Sequence, residues 1–384
     1  MDYVHLFEHS KEAQLSGRYI ALHHIEDLLI NDDRKHRTKI EAHSVLGRPI
    51  YSYTIGTGAM RILMWSQMHG NESTSTKGVF DFLKLLDSKS ETATLLLENF
   101  TFCIIPMLNP DGAFEYTRTN ANDIDLNRDL VNLSQPETKT LNSVLLNFQP
   151  NYCYNLHDQR TIFGAGDSGK PATISFLAPA FDETLEMNEC RLKAVRVINA
   201  MNTALQKVIA GQVARFDDAF NLNCVGDNCQ NLGFSTILIE AGHFQNDYRR
   251  EKTRTFFFIA LVSGLLKIHE NDVVDTELEE YFSIPDNKQN FRDIIYENVN
   301  IDYEGIVKNT TFAIQYKEVL NNDEIELVAY FSEIDEIDNL FGHQTFNAKN
   351  AMYSDELKNV PQIGQKADFF LDKTTIVVNG LIKM

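Results

Sequence analysis

Apolar and polar positions alternate along the larger, N-terminal part of the chain with two different periods. Short apolar runs bounded by turn residues predict six strands, at residues 50–55, 62–66, 102–106, 152–156, 173–177 and 235–239. Between them, apolar positions three and four apart predict helices at residues 74–86, 137–148, 183–209 and 246–269. Strands separated by helices favour an α/β fold with a mixed, mostly parallel sheet covered by helices on both faces.

The pattern changes towards the C-terminus. Residues 271–280 form an acidic stretch that is typical of a connector. Beyond it, residues 311–316 and 325–330 alternate with a period of two and are rich in β-branched and aromatic side chains. We therefore expect two domains: an α/β domain over residues 1–271, and a smaller C-terminal β-rich domain over residues 281–384.

Charge and composition exclude several classes of partner. The 35 Lys and Arg residues against 54 Asp and Glu residues give a formal net charge of -19, which argues against nucleic-acid binding and against docking on an anionic membrane. The longest apolar run, residues 256–266, is too short to span a bilayer as a helix. An acidic, polar start without a signal-like apolar segment, and five cysteines without Cys-x-x-Cys spacing, lead us to expect a cytoplasmic protein.

Polar side chains stand at the ends of the predicted strands, where ligand sites of open α/β sheets lie. His69 and Glu72 follow the strand at 62–66, His157 ends the strand at 152–156, and Glu240 ends the strand at 235–239. A nitrogen donor and an oxygen donor three residues apart, with a second imidazole from a neighbouring strand, are suited to Zn²⁺.

Further polar groups follow the strand at 102–106. Residues 109–112, Asn-Pro-Asp-Gly, are interpreted as a structural turn. After this turn come Arg118 and the stretch Asp-Leu-Asn-Arg-Asp at residues 125–129, which contains Asn127 and Arg128.

Each of these residues alone has a simpler interpretation. Glu72 could cap the helix that follows it, His157 could be an ordinary core histidine, and Arg118 and Arg128 could be surface arginines. Glu240 would be costly to bury without a partner, which favours a functional role.

In identity, order and spacing, these motifs resemble those of the zinc carboxypeptidase family (M14, the funnelin-type metallopeptidases), over the predicted α/β domain. The resemblance implies one zinc ion, and it implies a role for seven residues: zinc ligands His69, Glu72 and His157, carbonyl-polarising Arg118, carboxylate-binding Asn127 and Arg128, and general base Glu240. It further implies a metallocarboxypeptidase that hydrolyses an amide bond next to a free carboxylate in a peptide or peptide-like substrate.

The chemistry of such a site explains these residue types. Two neutral imidazoles and one carboxylate leave Zn²⁺ a net positive charge and an open position, where the pKa of water falls to about 7. Glu240 would take a proton from the attacking water and pass it to the leaving amine. Arg118 would stabilise the developing oxyanion, and the planar fork of Arg128 matches a carboxylate with two hydrogen bonds.

One departure from the family pattern leaves the substrate open. Many members carry a tyrosine on a mobile loop before the general base, but this chain has no tyrosine between Tyr154 and Tyr248. Residues 217–228 offer amides and carboxylates there instead.

Three alternative functions are therefore kept. A zinc acyl-amino-acid deacylase of the desuccinylase or aspartoacylase kind shares the His-Gly-Asn-Glu and Asp-Leu-Asn-Arg motifs, although the Asn-Pro-Asp-Gly turn favours the peptidase. A cytoplasmic muropeptide amidase is a second alternative. The third is a zinc-dependent binding protein without turnover.

Overall fold

The computed structural model describes residues 1–31, 33–270, 278–335, 337, 339–357 and 359–383. These residues form two compact units, one of Met1–Gln159 with Ala172–Asn287 and one of Arg160–Pro171 with Lys288–Met384. Residues 160–171, which the sequence pattern did not separate from the α/β part, thus cluster with the second unit. Most of the predicted connector, residues 271–277, lies outside the described residues.

The first unit contains the described α-helices and the strands of one large sheet. The helices are α1 (Tyr3–Ser10), α2 (Leu22–Ile30), α3 (Ser73–Asp87), α4 (Glu91–Asn99), α5 (Pro110–Glu115), α6 (Pro136–Phe148), α7 (Glu189–Leu205), α8 (Val225–Asn231), α9 (Glu251–Glu270) and α10 (Leu278–Ser283). Two 3₁₀ helices cover Lys35–Arg37 and Leu126–Arg128. The strands in the chain up to residue 288 are β1 (Thr38–His43), β2 (Pro49–Gly56), β3 (Met60–Ser66), β4 (Phe100–Ile105), β5 (Tyr152–Asp158), β6 (Gly164–Ala165), β7 (Ile174–Leu177), β8 (Val213–Arg215), β9 (Ser235–Ala241) and β10 (Asn287–Lys288). Of these, β6 and the second residue of β10 belong to the second unit.

Eight of these strands form a mixed sheet in the order β1-β2-β4-β3-β5-β9-β7-β8. The central strands β4, β3, β5 and β9 run parallel to one another, and β7 also runs parallel to β8. The pairs β1-β2, β2-β4 and β7-β9 are antiparallel. The predicted α/β class with a mixed, mostly parallel sheet is confirmed, and the parallel centre brings the carboxyl ends of β3, β5 and β9 to one edge.

Both faces of the sheet are buried, as parallel strands require. Along β3, Ile62 and Met64 pack into one core with residues of α3, α7 and α9, whereas Leu63 and Trp65 pack into a second core with residues of α6 and α8. This alternation explains why the predicted strands appeared as nearly continuous apolar runs.

Two predicted helices were too long, and local polar contacts explain their observed starts. Helix α7 begins after Asn188, whose side chain accepts a hydrogen bond from Arg191 N, and Leu185 before it has a positive φ of 59°. Helix α9 begins at Glu251 because the Asp247 carboxylate accepts hydrogen bonds from the backbone N–H groups of residues 251–253. Within the described parts of the chain, no helix is both long and apolar enough to cross a bilayer, α9 included.

The second unit is rich in β-structure, as predicted. Its strands are β11 (Phe291–Tyr303), β12 (Ile306–Asn321), β13 (Glu324–Ile334), β14 (Phe341–Asn347), β15 (Tyr353–Ser354), β16 (Phe369–Leu371), β17 (Thr375–Val378) and β18 (Leu381–Ile382). They form two four-stranded sheets, in the orders β13-β12-β11-β14 and β15-β16-β17-β18. Inward-facing aromatic side chains, among them Tyr296, Phe312, Phe331 and Phe369, fill the core of this unit.

Candidate functional site

The central parallel strands bring four of the predicted site residues to one edge of the sheet. His157 on β5 lies directly opposite Glu240 on β9 in the parallel register. His69 and Glu72 lie on the turn between β3, the other neighbour of β5, and α3. These residues therefore lie together at the carboxyl ends of neighbouring strands, as the sequence pattern predicted.

His69, Glu72 and His157 form a compact, buried group of potential metal ligands, which we call the ligand group. One ligand atom from each residue lies within 4.8 Å of the others. Nδ1 of His69 lies 2.8 Å from Glu72 Oε1, and Nδ1 of His157 lies 2.8 Å from Glu72 Oε2. Two imidazole nitrogens and a carboxylate thus converge on one centre, which is the donor set of a zinc site with an open position.

Asp125 fixes the orientation of the His69 ring. Its Oδ1 lies 3.0 Å from His69 Nε2, so a neutral ring carries its proton on Nε2 and directs its Nδ1 lone pair at Glu72. A lone pair facing a carboxylate oxygen at 2.8 Å is repulsive unless a proton or a metal ion lies at Nδ1. Burial alone would lower the pKa of His69, but Glu72 and Asp125 raise it overall. This geometry fits a bound cation.

The charge of Glu72 is strongly favoured in the fold. Burial alone would raise the pKa of its carboxyl, but His69 and His157 lower it overall. In contrast, burial is the main cause that lowers the pKa of His157. An anionic carboxylate and a neutral imidazole are the forms in which these residues bind metal.

The interpretation of Glu72 as a helix cap was wrong. Glu72 occupies the N-cap position of α3 but makes no side-chain capping bond, because its carboxylate is turned towards the two histidines. Asp158 caps α3 instead, accepting hydrogen bonds from Thr74 N at 2.8 Å and Ser75 N at 3.1 Å. Asp158 is itself held by Arg18, at 2.8 Å. Glu72 is thereby free to face the histidines.

The Asn-Pro-Asp-Gly turn supports the loop that carries His69. Asn109 caps α5 through Gly112 N and also donates from its side chain to Met68 O at 3.2 Å. A Cβ atom on Gly70 would lie 1.9 Å from the backbone of Gly112, so the two segments approach more closely than any other residue type would allow. This is the structural role that the sequence pattern indicated.

Arg118 lies at the ligand group. Its Nε donates to Asp125 Oδ2 at 3.1 Å, and its Nη1 donates to Glu72 Oε1 at 3.3 Å. The side chain is 48% exposed, so one side of the guanidinium faces the solvent beside the ligand group. It is therefore not an isolated surface arginine.

Asn127 and Arg128, which we call the amide-guanidinium pair, lie in the 3₁₀ helix Leu126–Arg128 directly after Asp125. Asn127 Oδ1 accepts a hydrogen bond from Val225 N at 2.8 Å. Arg128 Nη1 donates to Asn127 O at 2.7 Å and to Cys224 Sγ at 3.0 Å. Among the described residues, Arg128 has no carboxylate oxygen within ion-pair distance.

Glu240 is half-buried, and its Oε2 atom is enclosed with no hydrogen-bond partner among the residues that the structure describes. Burial raises the pKa of its carboxyl well above the usual value, and repulsion from Glu72 and Asp158 raises it further, while Arg118 opposes this shift. An unpaired carboxyl beside a group of metal ligands is placed to exchange a proton with a molecule bound there.

Sequence reasoning missed the roles of Asp125, Asp158 and Cys224. Asp125 was visible as part of the Asp-Leu-Asn-Arg stretch, and a carboxylate next to a ligand histidine is a recurring feature of metal sites. Asp158 directly follows His157, but only the tertiary structure shows that it caps α3. No sequence signal connects Cys224 with Arg128, which precedes it by 96 positions.

Comparison with known proteins agrees with this geometry. Residues 25–161 match the family model described as "Zinc carboxypeptidase". A "Probable carboxypeptidase 2" of the fungus Arthroderma benhamiae is 29% identical over 99 residues, which are 26% of this chain and 19% of that protein. A "Carboxypeptidase SOL1" of Arabidopsis thaliana is 43% identical over 63 residues, 14% of this chain and 13% of that protein. The matches thus span about a fifth or less of these relatives.

Solved structures resemble the fold. Bovine thrombin-activatable fibrinolysis inhibitor aligns with a TM-score of 0.53 at 14% identity, over 66% of this chain and 98% of that chain. A putative carboxypeptidase A from Shewanella denitrificans aligns with a TM-score of 0.50 at 20% identity, over 61% of this chain and 64% of that chain.

The first unit combines a sheet with a parallel centre and two histidines and a glutamate that converge beyond its strand ends. The segment of residues 25–161 is similar to the zinc carboxypeptidase family, in agreement with the motifs of the sequence. Members of this family use one zinc ion, and the ligand group fits that ion.

Proposed function

We propose that this chain is a zinc-dependent metallocarboxypeptidase that hydrolyses an amide bond adjacent to a free carboxylate. The observation that carries the proposal is the contrast between two arginines close together in the sequence. Arg118 is ion-paired with Glu72 and Asp125 at the ligand group, whereas Arg128 has no carboxylate partner among the described residues. A guanidinium without a close carboxylate partner, near a group of metal ligands, favours an anionic substrate group.

His69, Glu72 and His157 would hold one zinc ion. When bound, the ion would supply a Lewis acid that polarises a carbonyl and lowers the pKa of water. Asp125 keeps the Nδ1 lone pair of His69 directed at the ion's position. Asp158 frees Glu72 from capping α3.

Glu240 would act as the general base. Its position opposite His157 in the sheet places a carboxyl beside the ligand group, where it can take a proton from water and return it to the leaving amine. Arg118 would donate to the oxygen on which negative charge develops, from the exposed side of its guanidinium.

Asn127 and Arg128 would hold the terminal carboxylate of the substrate. The Nε–Nη2 edge of Arg128 makes no hydrogen bond to a described residue and offers two parallel donors. Asn127 adds its amide nitrogen, because its oxygen already accepts from Val225 N. Substrates lacking the carboxylate would lose the bidentate, charge-assisted contact with Arg128.

A peptide or peptide-like substrate and a cytoplasmic location are part of this proposal. The location is supported by the five cysteines, all of which are unpaired in the structure. The net charge of -19 supports the absence of a nucleic-acid partner.

The test compares matched substrates that differ in one group. Zinc-loaded protein is assayed on N-blocked dipeptides as free acids and as C-terminal amides, with muropeptides and N-acyl amino acids alongside. We expect a preference for the free acid of roughly a hundredfold or more in kcat/KM, because a bidentate charge-assisted contact is lost on amidation. Equal rates on acid and amide would contradict the carboxypeptidase function, and cleavage of N-acyl amino acids alone would favour the deacylase.

A further inference from the structure

The start of α8 contacts both members of the amide-guanidinium pair. Val225 N donates to Asn127 Oδ1 at 2.8 Å, and the thiol of Cys224, the preceding residue, lies 3.0 Å from Arg128 Nη1. These contacts join segments almost a hundred positions apart in the sequence. They hold side chains that the proposed function assigns to the substrate's carboxylate.

The Val225 contact determines which end of the Asn127 amide is available. Since Oδ1 accepts from a backbone N–H, the NH₂ group is left to donate, and Nδ2 makes no hydrogen bond to another described residue. A donor is the group that a carboxylate requires.

The Cys224 contact determines how the Arg128 guanidinium is oriented. Nη1 is held between Asn127 O, at 2.7 Å, and Cys224 Sγ, at 3.0 Å. A planar group fixed at one nitrogen keeps its plane, so the opposite Nε–Nη2 edge is held in one direction. Orienting this edge in advance reduces the entropy lost when a carboxylate binds.

A thiol is suited to this task because it is neutral. Burial raises the pKa of Cys224, so the group stays protonated near neutral pH, although Arg128 opposes the shift. A carboxylate in its place would form an ion pair with Arg128 and compete with the substrate's carboxylate. A neutral sulfur acceptor holds the guanidinium and leaves its positive charge available.

We propose that Cys224 is a positioning residue, which holds Arg128 by Nη1 and directs its Nε–Nη2 edge at the terminal carboxylate of the substrate. This inference rests on the proposed function. It also assigns a role to the loop in which the family tyrosine is absent: residues 217–228 act through a thiol and a backbone N–H on the amide-guanidinium pair.

The test uses two substitutions of Cys224 and one control. Cys224→Ala should raise KM for the free-acid substrate by roughly 5- to 20-fold, at the low end for a hydrogen bond to a charged group because sulfur is a weak acceptor. It should leave kcat for the acid and the rate on the amide unchanged. Cys224→Asp should reduce the acid preference further than Cys224→Ala, because the new carboxylate neutralises Arg128. Cys190→Ala removes a half-buried thiol whose partner is Gly233 O in another part of the unit, and it should change neither constant.

The outcomes separate this inference from the proposed function. If the wild type does not distinguish acid from amide, the proposed function fails. If the wild type does distinguish them, an unchanged KM and acid-to-amide ratio in zinc-loaded Cys224→Ala overturns the positioning role. Equal losses on acid and amide would also overturn it, because they would show a structural role only. Should Cys224→Ala not fold, a Cys224→Asp variant that keeps the wild-type acid preference overturns the inference by itself.

Discussion

The ligand group and the amide-guanidinium pair show two opposite treatments of charge within one site. At the ligand group, two carboxylates have cationic or imidazole partners: Glu72 faces two imidazoles and Arg118, and Asp125 faces His69 and Arg118. Arg128, only three positions after Asp125, has backbone and thiol partners but no carboxylate among the described residues. Arg118 and Arg128 therefore differ in their partners, although the sequence alone allows both to be ordinary surface arginines.

This difference indicates where binding energy for a ligand is available. An arginine already held in ion pairs has fewer free donors for a ligand, whereas the Nε–Nη2 edge of Arg128 is free to contact a carboxylate with two hydrogen bonds. The ligand group suits a cation because its imidazole nitrogens and carboxylate converge on one centre, and the amide-guanidinium pair suits an anion. In the proposed function, the amide-guanidinium pair holds the terminal carboxylate of the substrate, and the zinc ion held by the ligand group acts on the neighbouring amide bond.

The largest effects should follow loss of a metal ligand. His157→Ala removes one of three donors, so the purified protein should contain well below one zinc per chain and lose turnover. Elemental analysis of His157→Ala, His69→Ala and Glu72→Ala measures this, with His36→Ala, an exposed histidine of the 3₁₀ helix Lys35–Arg37, as the control. Full zinc content in all three ligand variants would show that the ligand group is misassigned.

Glu240→Gln should separate metal binding from proton transfer. The amide has the same shape but cannot act as a base, so kcat should fall by roughly a hundred- to ten-thousandfold while zinc content stays at one per chain. Steady-state kinetics on the free-acid substrate, with zinc measured on the same sample, tests this. A kcat near that of the wild type would remove Glu240 from the mechanism.

Asp125→Asn should weaken the metal without removing a ligand. The carboxylate that orients His69 is lost, and such changes typically cost roughly 10- to 100-fold in metal affinity. Competition with a chelator measures the zinc dissociation constant. Asp123→Asn alters an exposed carboxylate whose side chain contacts Thr119, and it should leave the constant unchanged. Equal affinities for Asp125→Asn and wild type would contradict the orienting role.

The smallest effect concerns Asp227 of α8, beside the amide-guanidinium pair. Burial raises the pKa of its carboxyl to about 6. The folded state therefore holds the Asp227 proton more tightly than the unfolded state does. As a result, the free energy of unfolding falls as pH rises from the unfolded pKa of about 4 through the folded pKa of about 6. Asp227→Asn should abolish that fall, so that the variant gains about 1–2 kcal/mol relative to wild type between pH 4 and pH 7. Urea unfolding at both pH values checks this; a pH-independent difference between the proteins would contradict it.

Much of the fold and the candidate site could be predicted from the sequence because both depend on strand ends. His69, His157 and Glu240 each follow an apolar run, and parallel neighbours in a sheet end at the same edge. The predicted strands and the α/β class follow from the same pattern. The side chains of His69, His157 and Glu240 could therefore be assigned to one site from the sequence, before any contact was known.

The contacts around these residues could not be predicted in the same way. Asp125 and His69 lie 56 positions apart, and Arg128 and Cys224 lie 96 apart, so their pairing depends on how loops fold over the sheet edge. Helix boundaries also depend on single capping groups: Asp247 starts α9 through three backbone N–H groups that the apolar period does not reveal.

The most direct test of the proposed contrast is the ratio of kcat/KM on free-acid and amidated substrates in Arg128→Ala and Arg118→Ala. Arg128→Ala should lose most of the acid preference, mainly through slower cleavage of the acid, while its rate on the amide changes little. Arg118→Ala should lower kcat on both substrates by roughly a hundred- to thousandfold and keep the ratio. A wild-type ratio in Arg128→Ala would contradict the assignment of the unpaired guanidinium to the substrate's carboxylate.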